Sequence, residues 1–223
     1  MTSADTPARN LKAVLWDFGG VILSSPFEAF NRFEAERGLP ADTIRRINST
    51  NPDANAWARF ERSEIDAQGF DVEFARDAAN LGHSIRGAEV LALLRGDIRP
   101  TMVTALDRVR EAGYKTACLT NNVAGGDGRT TAPADERDAE INLIMARFDA
   151  VIESSKVGVR KPEIEFYELA CATLDVAPDE CVFLDDLGIN LKPAAAMGMT
   201  TIKVVSPERA LDELAAVLGL RLD

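Results

Sequence analysis

The sequence predicts an α/β protein: a doubly wound, parallel, five-stranded Rossmann-like sheet with a helical domain inserted into it. Three observations predict this. Five short apolar runs lack two-residue alternation, as expected of strands covered by helices on both faces. Helical patterns separate the later runs, and strand–helix alternation builds a doubly wound sheet. Residues 26–98 carry helical patterns and no convincing strand, a stretch far longer than an ordinary strand–helix connection.

The predicted strands are AVLWDF (13–18), TACLTN (116–121), AVIES (150–154), CVFLDD (181–186) and TTIKVV (200–205). The insert reads as helices in PFEAFNRFEAERG, ADTIRRIN, NAWARFERSEIDAQGFDVEFARDAANLG and GAEVLALLRG. Residues 1–25 and 99–223 then form the core domain, and 26–98 the helical one. In TMVTALDRVREAG, Met102, Ala105, Leu106 and Val109 share one face, with Gly113 as the stop. KPEIEFYELACATL is expected to start with Pro162 near its first position and glutamates in or near its first turn. SPERALDELAAVLG opens on Ser206 as cap and Pro207 and closes at Gly219. The polar stretch 121–138 reads as a flexible loop.

Composition narrows the function classes. The chain has 223 residues, 46% of them hydrophobic, and a formal net charge of −11 at pH 7. That charge argues against a nucleic-acid or membrane-surface binder, which needs cationic surface, but not against a small anionic substrate held in a pocket. Cys118, Cys171 and Cys181 have no CxxC spacing and are expected to be buried, reduced thiols. The one histidine, His83, stands outside every candidate cluster, which leaves a zinc site or a Ser-His-Asp triad without its ligand or base. The first ten residues lack an apolar signal segment and no 18-residue apolar run occurs, so a soluble cytoplasmic protein is expected.

In open α/β sheets ligands bind beyond the carboxyl ends of the strands. Polar residues gather at those ends here: Asp17, then Thr120 and Asn121, then Asp185 and Asp186. Asp17 precedes Gly19-Gly20, and a carboxylate on such a turn can act as a nucleophile or simply cap a turn. Thr120 and Asn121 can hold a phosphoryl oxygen or serve ordinary turn chemistry. Lys161, in GVRKPE, can neutralise a nucleophile and a transferring group, or lie in solvent; Arg160 beside it competes for the same part. Asp185-Asp186, in FLDDLGIN, suit a hard cation such as Mg²⁺, or an acidic turn.

In this order, the four segments resemble the haloacid dehalogenase-like (HAD) superfamily of hydrolases over nearly the whole chain. LTNN, ESSKVGVRKPE and FLDDLGINLKPAAAMGMTTI are most similar to the N-terminal phosphatase domain of soluble epoxide hydrolases and related stand-alone HAD phosphatases. The epoxide-hydrolase domain of those fusions is expected to be absent. The resemblance implies a C1-type helical cap, Mg²⁺ as cofactor and a small phosphorylated metabolite as substrate, in a monomer or homodimer. It implies that Asp17 attacks phosphorus and binds the metal together with the Gly19 carbonyl and Asp186. Thr120 and Asn121 would hold phosphoryl oxygens, with Gly20 beside the substrate. Lys161 would orient Asp17, and Asp185 and Asn190 would stand behind the metal ligands.

One position departs from the family's phosphatases, which commonly carry a general acid/base aspartate two residues after the nucleophile. That position is Gly19 here. Loss of such help typically costs about 10²–10⁴ in rate. The expectation is a preference for good leaving groups, sugar-1-phosphates or acyl phosphates. The alternatives are a weakly active phosphate- and Mg²⁺-binding regulatory module and a haloacid dehalogenase. In the insert, Trp57 and Phe60 are expected to pack, while Arg62 or Arg59 reaches the distal end of the substrate or lies at the surface. Arg129 is a further candidate.

Overall fold

A computed structural model describes residues 10–94, 96–122 and 136–222. Strand β1 (Ala13–Trp16) is followed by five helices: α1 (Pro26–Glu36), α2 (Thr43–Ser49), α3 (Ala56–Glu61), α4 (Ala67–Asn80) and α5 (Gly87–Leu91). Helix α6 (Pro100–Glu111) leads into β2 (Lys115–Thr120). Then come α7 (Glu136–Met145), β3 (Ala150–Glu153), the short α8 (Ser154–Val157) and α9 (Ile164–Leu174). The chain closes with β4 (Cys181–Asp185), α10 (Gly188–Ala196), β5 (Thr200–Lys203) and α11 (Pro207–Leu218).

All pairings are parallel and the strand order is β3-β2-β1-β4-β5. The chain therefore winds away from β1 in both directions, which puts a switch point at its carboxyl end. The five strands fall on the five apolar runs. Each ladder stops short of its run because the last residues, Asp17, Asn121 and Asp186 among them, turn out of the sheet toward that end.

The missing alternation has a direct cause. Val14 and Trp16 join an apolar cluster with Met102, Leu106, Ile141, Ile144 and Leu214. Ala13 and Leu15 join a second, with Phe166, Tyr167, Leu191 and Ala194. Both faces of β1 are dry, so both sets of side chains are apolar. The helix signals hold: α6 buries Met102, Ala105, Leu106 and Val109, and α11 has Ser206 accepting the Arg209 N–H at 3.4 Å and Gly219 at φ 66°. One boundary moves. Helix α9 starts at Ile164, with Glu163 as its cap, rather than at Pro162. The Glu163 N–H donates to Arg160 O at 2.8 Å, closing a turn that presents Lys161 ahead of the helix. The three cysteines are buried and free.

Helices α1 to α5 enclose an apolar cluster of their own, built on Phe30, Ile44, Phe60, Phe70 and Phe74. Phe60 stacks on Phe70 at 4.8 Å and Trp57 meets it edge-on at 5.2 Å, so both aromatics pack as their helical spacing predicts. The chain enters and leaves this segment through two adjacent crossings. Leu23 bridges Ile98, the Ser24 N–H donates to Asp97 O at 2.7 Å, and the Arg99 N–H donates to Ile22 O at 2.9 Å. No helix among the described residues is long and apolar enough to cross a membrane.

Candidate active site

Asp17 leaves β1 still tied to the sheet, its N–H donating to Leu184 O at 2.9 Å. Its Oδ1 accepts the Phe18 N–H at 2.6 Å. The two glycines that follow are not equivalent. Gly19 has ordinary angles (φ −69°, ψ 129°), and a Cβ there would meet nothing within 4 Å. Gly20 is left-handed at φ 79°, and a Cβ there would lie 2.2 Å from Asp186 Oδ2. Glycine is required at position 20 both for its backbone and to let the turn pass against Asp186. The Arg99 guanidinium holds that turn from the second crossing, its Nη1 donating to Gly20 O at 2.6 Å.

Lys161 is 1% exposed, with Nζ 2.8 Å from Asp17 Oδ1 and 2.8 Å from Asp185 Oδ2. Burial alone would lower its pKa, but the two carboxylates outweigh it and hold the ammonium charged. Asp185 is fully buried and fully engaged. It accepts Lys161, the Leu187 N–H at 2.8 Å and the Asn190 amide at 3.0 and 3.1 Å. Asn190 is fixed in turn, its carbonyl accepting the Tyr167 hydroxyl at 2.7 Å. Burial pushes Asp17 well above the usual carboxylate range; Lys161 opposes this, and Asp185 and Asp186 add to it. Burial and Asp185 push Asp186 up to about 6, against a hydroxyl bond from Ser25 at 3.0 Å.

Oxygens of Asp17, Asp185 and Asp186 all lie within 4.8 Å of one another. Three carboxylates around one ammonium leave a net charge of −2 when all are ionised. A hard divalent cation suits both that charge and an all-oxygen donor set. Asp17 and Asp186 are the carboxylates that could hold it, because Asp185 is committed to Lys161, Leu187 and Asn190.

The other predicted residues are placed as follows. Thr120 is buried at the end of β2, two residues past the Trp16–Cys118 pairing. The side chain of Asn121 turns to Lys161, donating to its carbonyl at 2.9 Å and accepting its N–H at 2.8 Å. The amide expected at phosphoryl oxygens thus clamps the backbone that carries the ammonium. Arg62 bonds Glu64 at 2.7 Å, Glu163 at 3.4 Å and Asp53 O at 3.0 Å. Arg59 forks onto Glu73 at 2.5 and 2.7 Å. Arg160, the competitor of Lys161, turns away to Glu61. Arg129, with the rest of residues 123–135, lies outside the described residues, while residues 136–138, expected in that loop, open helix α7 because the acidic side chains of Glu136 and Asp138 suit its first turn.

Ser25, Arg99 and Tyr167 are members of this neighbourhood that sequence reading did not single out. Asn122 is another. It accepts from Ser155 and donates to Glu153 at 2.9 Å, tying the ends of β2 and β3 together. The second asparagine of LTNN was the available signal for it.

Lys161→Met tests the buried cation. Stripping one partner from a buried ion pair costs about 3–5 kcal/mol, so urea denaturation at neutral pH is expected to show a loss of that order. A loss under about 1 kcal/mol, the range of an exposed pair, would show that the ammonium carries little of the site's charge balance.

A family model described as haloacid dehalogenase-like hydrolase matches residues 11–198. Mouse acyl-CoA dehydrogenase family member 10 is 35% identical over 219 residues, which cover 96% of this chain and 20% of that protein. Mouse bifunctional epoxide hydrolase 2 is 32% identical over 223 residues, 94% of this chain and 39% of that protein. The chain thus spans less than half the length of either relative. A sesquiterpene phosphatase of Aspergillus oryzae, astK, is 27% identical over 213 residues, 93% of this chain and 97% of that one. Among solved structures, a HAD family enzyme from Bacteroides thetaiotaomicron, in complex with magnesium and inorganic phosphate, aligns with a TM-score of 0.56 at 19% identity, covering 86% of this chain and 93% of that one. The L-2-haloacid dehalogenase of Xanthobacter autotrophicus aligns at 0.58 and 21% identity, covering 92% and 82%.

Proposed function

The chain belongs to the haloacid dehalogenase-like hydrolases, and from that premise we propose that it hydrolyses a small phosphomonoester with Mg²⁺ through an aspartyl-phosphate on Asp17. One observation carries the reading: a fully buried ammonium stands 2.8 Å from Asp17 and from Asp185, beside Asp186. The ammonium opposes the rise in pKa that burial causes at Asp17 and fixes the carboxylate in the direction it needs to attack. The likeness to a fungal phosphatase over nearly its full length supports the reaction type.

Asp17 Oδ1 is taken by the Phe18 N–H and by Lys161, which leaves Oδ2 to attack phosphorus. The Asp17–phosphorus bond forms as the bond to the leaving oxygen breaks. Water then attacks phosphorus, regenerating the carboxylate and releasing inorganic phosphate. Thr120 would hold a phosphoryl oxygen through its hydroxyl, and Asn121 would act through Lys161, whose backbone it clamps. Bound by Asp17, Asp186 and the Gly19 carbonyl, Mg²⁺ would neutralise charge on the phosphoryl group. Residues 26–98 would form the cap that shields the site from water, on a core of 1–25 and 99–223.

No carboxylate follows Asp17 at position 19, so the leaving oxygen departs with little proton assistance. That favours anomeric and acyl phosphates, whose leaving groups are less basic than a simple alkoxide. The same gap supports a second reading, a module that binds phosphate and Mg²⁺ and turns over slowly. Dehalogenation is the weaker alternative, since the acidic cluster of Asp17, Asp185 and Asp186 would suit a cation that a haloacid does not need.

Phosphate release is to be measured with and without Mg²⁺ on acetyl phosphate, a hexose-1-phosphate, a hexose-6-phosphate and an aryl phosphate. Turnover that vanishes with chelator and returns with Mg²⁺, slowest on the hexose-6-phosphate, is the expected result. Metal-independent halide release from a 2-haloacid, with no phosphate release, would overturn it.

A further inference from the structure

Lys161 is fixed on three sides. Its ammonium is held by Asp17 and Asp185, and its backbone by Asn121. The third hold comes from the helical insert. Arg160, the preceding residue, places Nε 2.5 Å from Glu61 Oε2 at the end of α3. Glu61 is only 5% exposed, and its other oxygen accepts the Trp57 indole N–H at 2.9 Å. The same guanidinium reaches Pro52 O at 3.2 Å. On the far side of Lys161, Glu163 meets Arg62 at 3.4 Å. Ser63 donates to Ser155 O at 3.0 Å. Two consecutive insert residues of opposite charge, Glu61 and Arg62, therefore pair crosswise with Arg160 and Glu163, which bracket Lys161.

The Arg62–Glu163 pair is long and partly wet, and pairs of that kind contribute little. The Glu61–Arg160 pair is different. Both side chains are largely buried, so neither can give up the contact while the insert lies over the sheet without leaving its charge dry and uncompensated. The pair thus couples the position of α3 to the position of the Arg160–Glu163 turn.

We propose that Glu61 is a positioning residue: through Arg160 it seats the Lys161 turn when the insert lies over the sheet, so that the ammonium meets Asp17 in register only in the covered state. The catalytic half of this rests on the phosphatase reading above; the mechanical half does not. Turnover would then be coupled to cap closure through a charge pair as well as through exclusion of water.

The test is a double-variant cycle of Glu61→Gln, Arg160→Gln and both together, with Arg160→Lys as the conservative change. Glu61→Gln keeps the shape and an acceptor for Trp57 while removing the charge. Each Gln variant is expected to lower kcat on a hexose-1-phosphate by about 10- to 100-fold, the cost of a displaced catalytic group, with KM changed less than about twofold. The double variant should be no slower than the slower single one. Arg160→Lys should recover part of the loss. Hydrogen exchange on the ligand-free protein gives a readout that needs no turnover. The Lys161 and Glu163 amides, bonded to Asn121 Oδ1 and Arg160 O, should exchange about tenfold faster in Glu61→Gln, as a locally loosened segment does. Losses that add in the double variant, or exchange at those amides unchanged in Glu61→Gln, would overturn the proposal. A wild-type protein without phosphate release would remove the phosphatase reading alone, and exchange would still decide whether Glu61 seats the turn.

Discussion

Asp17→Asn is expected to stop phosphate release, to about 10⁻⁴ of the wild-type rate or below, while leaving the fold intact. The amide offers no anionic oxygen to attack phosphorus, and no other carboxylate can take over. Asp185 is bound by Lys161, Leu187 and Asn190, and Asp186 packs against Gly20 and accepts the Ser25 hydroxyl. Stability should move little or rise. Burial lifts the pKa of Asp17 in the folded state, so the unfolded chain holds fewer protons on this group. Its ionised form therefore costs stability as pH rises from the ordinary carboxylate value toward the raised one. At neutral pH a neutral isostere removes that cost and also relieves repulsion with Asp185 and Asp186. Against this, Lys161 loses one of two partners and keeps Asp185. Paired measurements of turnover and thermal midpoint check the prediction. Turnover above about 1% of wild type would exclude Asp17 as nucleophile, and collapse of the midpoint would show that its role is structural.

Gly19→Asp is expected to do the opposite: to raise turnover, and to raise it unequally. The backbone at Gly19 lies in a region every residue adopts, and a Cβ there meets open space within 4 Å. An aspartate fits without strain, two residues beyond the nucleophile, where it can protonate a leaving alkoxide and then activate water. General acid–base help of that kind is worth about 10²–10⁴ in rate. The full gain should appear on a hexose-6-phosphate, whose alkoxide leaves poorly, and almost none on acetyl phosphate, whose leaving carboxylate needs no proton. Ratios of kcat/KM for the two substrates, variant over wild type, provide the measure. An equal gain on both, or none on either, would show that the missing carboxylate does not set substrate preference. The same change at Gly20 would fail, since its φ is 79° and Asp186 occupies the space.

Two neighbouring glycines thus have unlike roles that the letters cannot distinguish. The sequence by itself determined the five strands, the helical insert and the set of acidic and basic groups at the strand ends. Each of these is written in local terms: runs of apolar residues dry on both faces, caps and stops at helix ends, and polar residues at the last position of a strand. The family resemblance added the roles, because the four segments occur in a fixed order along the chain. Lys161 was legible that way although most lysines are solvated, and the structure buries it between two carboxylates. Only the tertiary structure decided which groups meet. Ser25 reaches Asp186, Arg99 reaches Gly20, and Asn121 reaches the Lys161 backbone. Glu61 on the insert finds Arg160 beside Lys161. Each of these contacts joins residues far apart along the chain, and local periodicity carries no information at such range. They exist because the parallel sheet brings its carboxyl ends to one edge and the insert folds back across it. Where the insert meets the sheet, Glu61 and Arg160 are largely buried, and packing brings each the opposite charge that its burial requires.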